Sequence, residues 1–209
     1  RAFEAENKGM VPAETVREMA AAGLFKVLQP KRWGGYEMDP RVFYRIQMAL
    51  AEGCMATAWI YGVIGVHNWQ LPLFPEQAQQ DVWAQDPTTL IASTYMPVGK
   101  AEKVDGGYRF SGRWSWSSGV EHCEWIFLGG LLPKKDGSGQ LEHCTFLLPK
   151  KDYQVVHNFD VLGLRATASH DIVVEGAFVP EHRAHRTNDH SDAGCLGRAT
   201  NPGWLYKIP

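Results

Sequence analysis

The sequence predicts an α+β fold in which an N-terminal helical domain is followed by an antiparallel, barrel-like β domain. Up to residue 87 the apolar residues recur at helical spacing. After Pro87 the chain turns to short runs of aromatic and β-branched residues, separated by glycine-containing turns. The predicted division is a helical domain over 1–87, a β domain over 88–185 and a linker over 186–209.

Helix start signals mark the first part. Pro12 and Pro75 stand where a first-turn proline fits, and Asp39 followed by Pro40 is an N-cap before a helix-compatible proline. The apolar run 55–69 predicts a further helix between them. The six runs that predict strands are LIASTY, YRFSGRWSW, EWIFLGGLL, CTFLLP, YQVVH and DIVVEGAFV.

Composition excludes several classes of protein. The 209 residues are 44% hydrophobic with a formal net charge of -2, so a nucleic acid or an anionic membrane is not expected as a partner. The longest nearly apolar run, 59–66, is too short to cross a bilayer. The four cysteines form no CxxC pair. We therefore expect a cytoplasmic protein with reduced thiols.

The stretch GRWSWSSG, 112–119, is the first candidate site. In a regular strand Trp114, Trp116 and Ser118 would point to one face. That face is either a half-buried side of the sheet or a platform for a flat aromatic ligand, with Gly119 permitting close approach.

Two further stretches each have two interpretations. ASTYMPVG, 92–99, is a plain turn or a strand end whose backbone amides are free to bind a polar ring edge. Trp59 and His67 are eight residues apart, about 80° on a helix, and so share a side. His67 is a satisfied core histidine, or it faces a pocket where it holds a phenol or accepts its proton.

The segment GLRATASHDIVVEGAFVPEHR, 163–183, places Arg165 in a loop of small residues, where it is a solvated arginine or a ligand contact. The phosphate-binding GxxxxGK[ST], the dinucleotide-binding GxGxxG and the nucleophile elbow GxSxG are missing. His182, His185 and His190 have no ligand spacing with cysteines or carboxylates, so no metal site is predicted.

In their order along the chain, AAAGLFKVLQPKRWGG, ASTYMPVG, WSWSSG and GLRATAS resemble the acyl-CoA dehydrogenase fold over nearly the whole sequence. Within that fold, VHNWQLPLF, WSWSSG and the tail NDHSDAGC…LYKIP resemble the oxygenase components of two-component flavin-dependent monooxygenases. That branch includes 4-hydroxyphenylacetate 3-hydroxylases and the enzymes that hydroxylate 3-hydroxy-9,10-secoandrosta-1,3,5(10)-triene-9,17-dione.

The resemblance implies a reaction and its cofactors. A separate NAD(P)H:flavin reductase supplies reduced FMN or FAD, and the oxygenase uses O₂ to form a C4a-hydroperoxyflavin that hydroxylates a phenol at the ortho carbon. Such a site must exclude water and hold the flavin N5 proton.

The resemblance also implies roles for residues. Trp116 lies against the isoalloxazine and Ser118 reaches N5, whereas His67 is the hydrogen-bond partner or base for the substrate hydroxyl, with Trp59 beside it. The residues implied to contact the cofactor are Ser93, Thr94, Tyr95, Trp116, Ser117, Ser118 and Arg165. Ala166 and Ala168 stand where relatives often have glycine, which is the main local departure.

Two other functions fit the same residues: an acyl-CoA dehydrogenase, and a non-catalytic module that holds sugars or peptides on exposed tryptophans. The resembling family continues into a C-terminal helical bundle that completes the flavin site and builds a homotetramer. We expect the present 209 residues alone to bind flavin more weakly than micromolar and to be inactive, which a flavin titration of this piece measures.

Overall fold

The structure, a computed structural model, describes residues 1–186, 191 and 194–208. His190 and part of the predicted linker, residues 187–190, 192–193 and 209, lie outside these described residues. The helices are α1 (Ala2–Lys8), α2 (Ala13–Ala21), α3 (Pro40–Gly53), α4 (Met55–Gln70) and α5 (Glu76–Trp83). The strands are β1 (Ile91–Val104), β2 (Gly107–Ser117), β3 (Trp125–Pro133), β4 (Leu141–Pro149), β5 (Gln154–Val156), β6 (His170–Pro180) and β7 (Ala184–Arg186).

Helix α4 is the central element of the helical part. Its residues are apolar around most of the helix circumference, as expected for a helix that is covered on several sides. Ile60, Tyr61 and Ile64 are fully buried. Helix α3 packs along it and begins at Asp39, whose carboxylate accepts a hydrogen bond from the Arg41 amide at 2.8 Å. Among the described residues, no helix combines the length and the apolar character needed to cross a bilayer.

The strands form one sheet in the order β5-β6-β2-β1-β3-β4-β7. The expectation of a wholly antiparallel unit is wrong in one place, since β1 and β3 pair in parallel from Ile91 opposite Trp125. The tight turn after Val104 places β2 against one edge of β1. The chain must then cross to the other edge, where β3 runs in the same direction as β1.

The expected common face of the two tryptophans is also wrong. The pairing of β2 with β6 shifts register between Trp114 and Ser117, and Trp116 has a φ of 66°. This bulge breaks the alternation of side chains. Trp114 is 0% exposed and packs on Phe110, whereas Trp116 is 68% exposed. Trp114 and Trp116 therefore do not form a platform of two indoles.

The described part of the predicted linker packs onto the helices. Leu205 and Tyr206 are buried. The indole of Trp69 donates to the Leu205 carbonyl at 2.7 Å, and the Tyr206 hydroxyl donates to the Leu28 carbonyl at 3.0 Å. This segment is a covering layer of the helical part in this structure.

The loop before β6 contains a strained alanine, and this predicts a stabilising substitution. Ala168 has φ 45° and ψ 49°, a left-handed conformation that costs a non-glycine residue about 1 kcal/mol. We expect Ala168→Gly to raise the free energy of unfolding by about 1 kcal/mol in urea denaturation. Ala166→Gly is the matched control, since Ala166 does not have a positive φ; it should lower stability, and equal effects of the two changes would contradict the explanation.

Candidate functional site

A cavity of 490 Å³ lies between helices α3 and α4 and the strands β1 and β2. Its volume is within the range of small-molecule binding sites. The walls are largely apolar, with a few polar groups at one side. The residues that line it are Phe43, Tyr44, Gln47, Trp59, Gly62, Val63, Val66, His67, Ser93, Thr94, Tyr95, Met96, Ser115, Trp116 and Ser118.

Most of the residues singled out in the sequence meet at this cavity. Helix α4 contributes two of them, the start of β1 contributes three, and the end of β2 with the residue after it contributes two. They are Trp59, His67, Ser93, Thr94, Tyr95, Trp116 and Ser118. Two predicted cofactor contacts, Ser117 and Arg165, do not line it.

Trp116 presents an exposed indole at the cavity in a conformation that costs free energy. A left-handed backbone at a tryptophan costs on the order of 1–3 kcal/mol, and such strain is concentrated at ligand sites. The bulge turns the indole outward, so its face is available to a flat ring.

Ser118 follows the end of β2 and is buried. Its Oγ accepts a hydrogen bond from the Trp59 indole at 3.0 Å and lies 2.8 Å from the Ser169 hydroxyl. The sequence predicts that Gly119 permits the close approach of a ligand, but the structure places an α4 side chain against it instead. A Cβ there would lie 2.8 Å from the Ile64 side chain, so the glycine permits close packing on α4.

His67 has a defined tautomer. Its Nδ1 lies 2.5 Å from the Ile91 carbonyl. Because a carbonyl oxygen only accepts, Nδ1 carries the proton and Nε2 carries a lone pair. Nε2 is buried and has no partner within the described protein. Burial lowers the pKa of His67 to about 4, so the ring is neutral at pH 7.

The polar start of β1 has an irregular backbone. The register between β1 and β3 shifts between Thr94 and Gly99, which leaves residues 95–98 outside the regular pairing of these strands. The Thr94 hydroxyl donates to the Ser115 carbonyl at 3.0 Å, and the Tyr95 hydroxyl bonds the Gln70 side chain. The backbone carbonyls here also have protein partners, since the Tyr95 carbonyl lies 2.7 Å from His143 Nε2 and the Met96 carbonyl accepts from the Trp114 indole at 3.1 Å.

Ser117 and Arg165 are the two predicted cofactor contacts outside the cavity lining. The Ser117 side chain is 0% exposed, and its hydroxyl has no hydrogen-bond partner among the residues that the structure describes. Arg165 is exposed in a short 3-10 turn, and its backbone amide donates to the Glu6 carboxylate at 3.0 Å. Sequence reasoning missed Ser169 and the α3 wall; Ser169 stood in the quoted GLRATAS motif, but nothing in the motif indicated what its hydroxyl contacts.

One group of metal-type ligands occurs among the described residues. Ligand atoms of Glu121, His157 and His170 lie within 4.8 Å of one another. They already have protein partners, since His157 Nε2 lies 2.5 Å from the Glu121 carboxylate and His170 Nδ1 accepts from the Phe159 amide at 3.3 Å. The expectation of no metal stays a prediction.

Comparison with known proteins gives consistent matches. Residues 1–88 match the family model "Acyl-CoA dehydrogenase, N-terminal domain". The flavin-dependent monooxygenase oxygenase subunit HsaA of Rhodococcus jostii strain RHA1 is 42% identical over 209 residues, covering all of this chain and 54% of that protein. The oxygenase component of the FADH(2)-dependent resorcinol hydroxylase of Rhizobium sp. strain MTP-10005 is 33% identical, covering 92% of this chain and 48% of that protein.

The fold agrees with a solved structure. The crystal structure of the HsaA monooxygenase from M. tuberculosis superposes with a TM-score of 0.94 at 42% identity, covering all of this chain and 55% of that one. The chain thus spans about half the length of the curated relatives it matches. Its helices followed by a seven-stranded sheet are the acyl-CoA dehydrogenase-like architecture that the sequence predicted.

Proposed function

Because this chain belongs to the acyl-CoA dehydrogenase-fold family and is homologous over its whole length to the oxygenase subunits of flavin-dependent monooxygenases, we propose that it is part of an oxygenase that hydroxylates a phenolic ring. Reduced FMN or FAD is the cofactor and O₂ the co-substrate. In this proposal the 490 Å³ cavity holds the phenolic ring of the substrate next to the flavin.

One observation carries the proposal: a single cavity combines an exposed indole with two polar groups that can accept hydrogen bonds. Trp116 supplies the indole. Ser118 Oγ has one lone pair beyond its bond to Trp59, and His67 Nε2 is a buried acceptor that has no partner in the described part of the chain. A reduced flavin donates a hydrogen bond through N5–H and a phenol donates one through its hydroxyl. The two acceptors, Ser118 Oγ and His67 Nε2, therefore suit the two ligands.

When bound, reduced flavin supplies the electrons that activate O₂. The chain's residues hold and shield it: Trp116 covers a ring face, and Ser118 accepts a hydrogen bond from N5–H. The polar edge of the ring would lie along Ser93, Thr94 and Tyr95, where the backbone of residues 95–98 is outside the regular pairing of β1 and β3. Ser117 and Arg165 stay predictions as cofactor contacts, since neither lines this cavity.

His67 acts as a hydrogen-bond acceptor for the phenol hydroxyl. A phenol has a pKa near 10, about six pH units above the pKa of His67. Complete proton transfer to such a buried imidazole is therefore strongly unfavourable. A hydrogen bond to Nε2 still polarises the hydroxyl and orients the ring, with Trp59 at the same wall.

The proposal includes partners. An NAD(P)H:flavin reductase supplies the reduced cofactor in the cytoplasm, where NAD(P)H is available, and the full chain forms a homotetramer. The apolar wall of Phe43, Val63, Val66 and Met96 suits a largely hydrophobic phenol. A phenol derived from a steroid ring is the first substrate to test.

The experiment uses the full-length protein rather than the 209 residues alone: an anaerobic titration with reduced FMN and reduced FAD, followed by mixing with O₂ and a panel of phenols. We expect micromolar or tighter binding, a long-lived flavin absorbance after O₂ is added, and ortho-hydroxylated product. Reduction of a bound flavin by an acyl-CoA, without any reductase, would instead identify an acyl-CoA dehydrogenase.

A further inference from the structure

We propose that Ser169 is a positioning residue that, together with Trp59, makes the Ser118 hydroxyl a hydrogen-bond acceptor toward the cavity. The site thereby favours reduced over oxidised flavin. This inference rests on the proposed function, and it concerns a residue outside the cavity wall.

The hydrogen bonds of Ser118 are nearly all assigned by chemistry. A serine hydroxyl donates one hydrogen bond and accepts two. An indole N–H only donates, so the Trp59 contact at 3.0 Å occupies one lone pair of Ser118. One proton and one lone pair remain, to be divided between Ser169, at 2.8 Å, and whatever occupies the cavity.

Ser169 is held in place to take that proton. The backbone pairs Ser117 with His170, and the Gly119 amide donates to the Thr167 carbonyl at 2.9 Å, so two links bracket Ser118 and Ser169. Ser169 Oγ also lies 2.7 Å from the Thr167 hydroxyl. Both serines and the threonine are buried. Ser169 can therefore accept from Ser118 while donating to Thr167.

The two redox states of flavin require different hydrogen-bond directions in the hydroxyl series Ser118, Ser169 and Thr167. Reduced flavin carries a hydrogen on N5, so Ser118 must accept from both the flavin and Trp59 and must donate its proton to Ser169. Oxidised flavin has only a lone pair at N5, so Ser118 would donate to the flavin and would not need Ser169 as an acceptor. Ser169 thus supports binding of the N–H form selectively.

Removing the Ser169 hydroxyl should change that selectivity. In Ser169→Ala, reduced flavin leaves the Ser118 proton unpaired at a buried site. We expect its dissociation constant to rise about 5- to 100-fold, the effect of one unsatisfied buried donor. The dissociation constant for oxidised flavin should change less than about threefold, because the bonds required in that state remain.

The test is a pair of titrations on the full-length protein, one anaerobic with reduced flavin and one aerobic with oxidised flavin. Tryptophan fluorescence monitors binding in both. Ser169→Thr retains the hydroxyl and should keep the wild-type ratio of the two dissociation constants. Tyr153→Phe is the control: it removes a buried hydroxyl that has no hydrogen-bond partner among the described residues and does not line the cavity. If Ser169→Ala fails to fold, Ser169→Cys takes its place, because a cysteine sulfur is only a weak acceptor. It should lower the ratio of the dissociation constant for oxidised flavin to that for reduced flavin, as Ser169→Ala is expected to do.

A Ser169→Ala variant that weakens both flavin forms equally, or neither, would overturn the inference while leaving the proposed function intact. Failure of the wild-type full chain to bind reduced flavin would overturn both. Loss of preference for reduced flavin in Ser169→Ala, with the preference kept in Ser169→Thr and Tyr153→Phe, supports the inference.

Discussion

Replacement of Ser118 by alanine is expected to weaken reduced-flavin binding about 5- to 100-fold and to divert consumed O₂ to hydrogen peroxide. Ser118 is the hydroxyl at the cavity wall that both Trp59 and Ser169 contact. Without it, N5–H has no acceptor in a water-poor site, which costs on the order of 1–3 kcal/mol. Anaerobic titration measures the affinity, and a peroxide assay with the reductase present measures the diversion.

Tyr153→Phe provides a control for this change. The Tyr153 hydroxyl is buried without a hydrogen-bond partner among the described residues and lies outside the cavity lining, so its removal should leave flavin affinity unchanged and stability equal or slightly higher. If Tyr153→Phe and Ser118→Ala had the same effect on flavin affinity, the assignment of Ser118 as the N5 partner would be wrong.

The second large effect concerns stability in acid. His67 has a pKa of about 4 in the folded protein because burial disfavours its charged form, against 6.5 when unfolded. Between these values the unfolded state binds more protons, so stability falls as the pH decreases from 6.5 towards 4. The loss due to this residue is roughly 3 kcal/mol between pH 7 and pH 4.

Urea unfolding of the wild type and His67→Asn at several pH values measures this contribution. The variant should lose less stability in acid, and the difference should develop between pH 6.5 and 4. Burial also lowers the pKa of His122 and of His170, so part of the acid sensitivity will remain. Identical pH profiles for the wild type and His67→Asn would contradict the burial of a neutral His67.

The order of elements could be predicted because it depends on local signals. Asp39 before Pro40 starts a helix wherever the chain places it, and the spacing of Trp59 and His67 is set by helical geometry alone. These signals act over a few residues, so they persist in the folded protein. The motif order along the chain was likewise enough to identify the family.

What the sequence by itself determined is therefore the succession of α2 to α5 and of β1 to β6, the family, and seven of the fifteen residues that line the cavity. Only the tertiary structure decided that Trp114 is buried while Trp116 is exposed, that β3 runs parallel to β1, and that Ser169 bonds Ser118. Each of these depends on partners that are distant in the sequence. A bulge opposite β6 and a hydroxyl contact across 51 residues have no local signature.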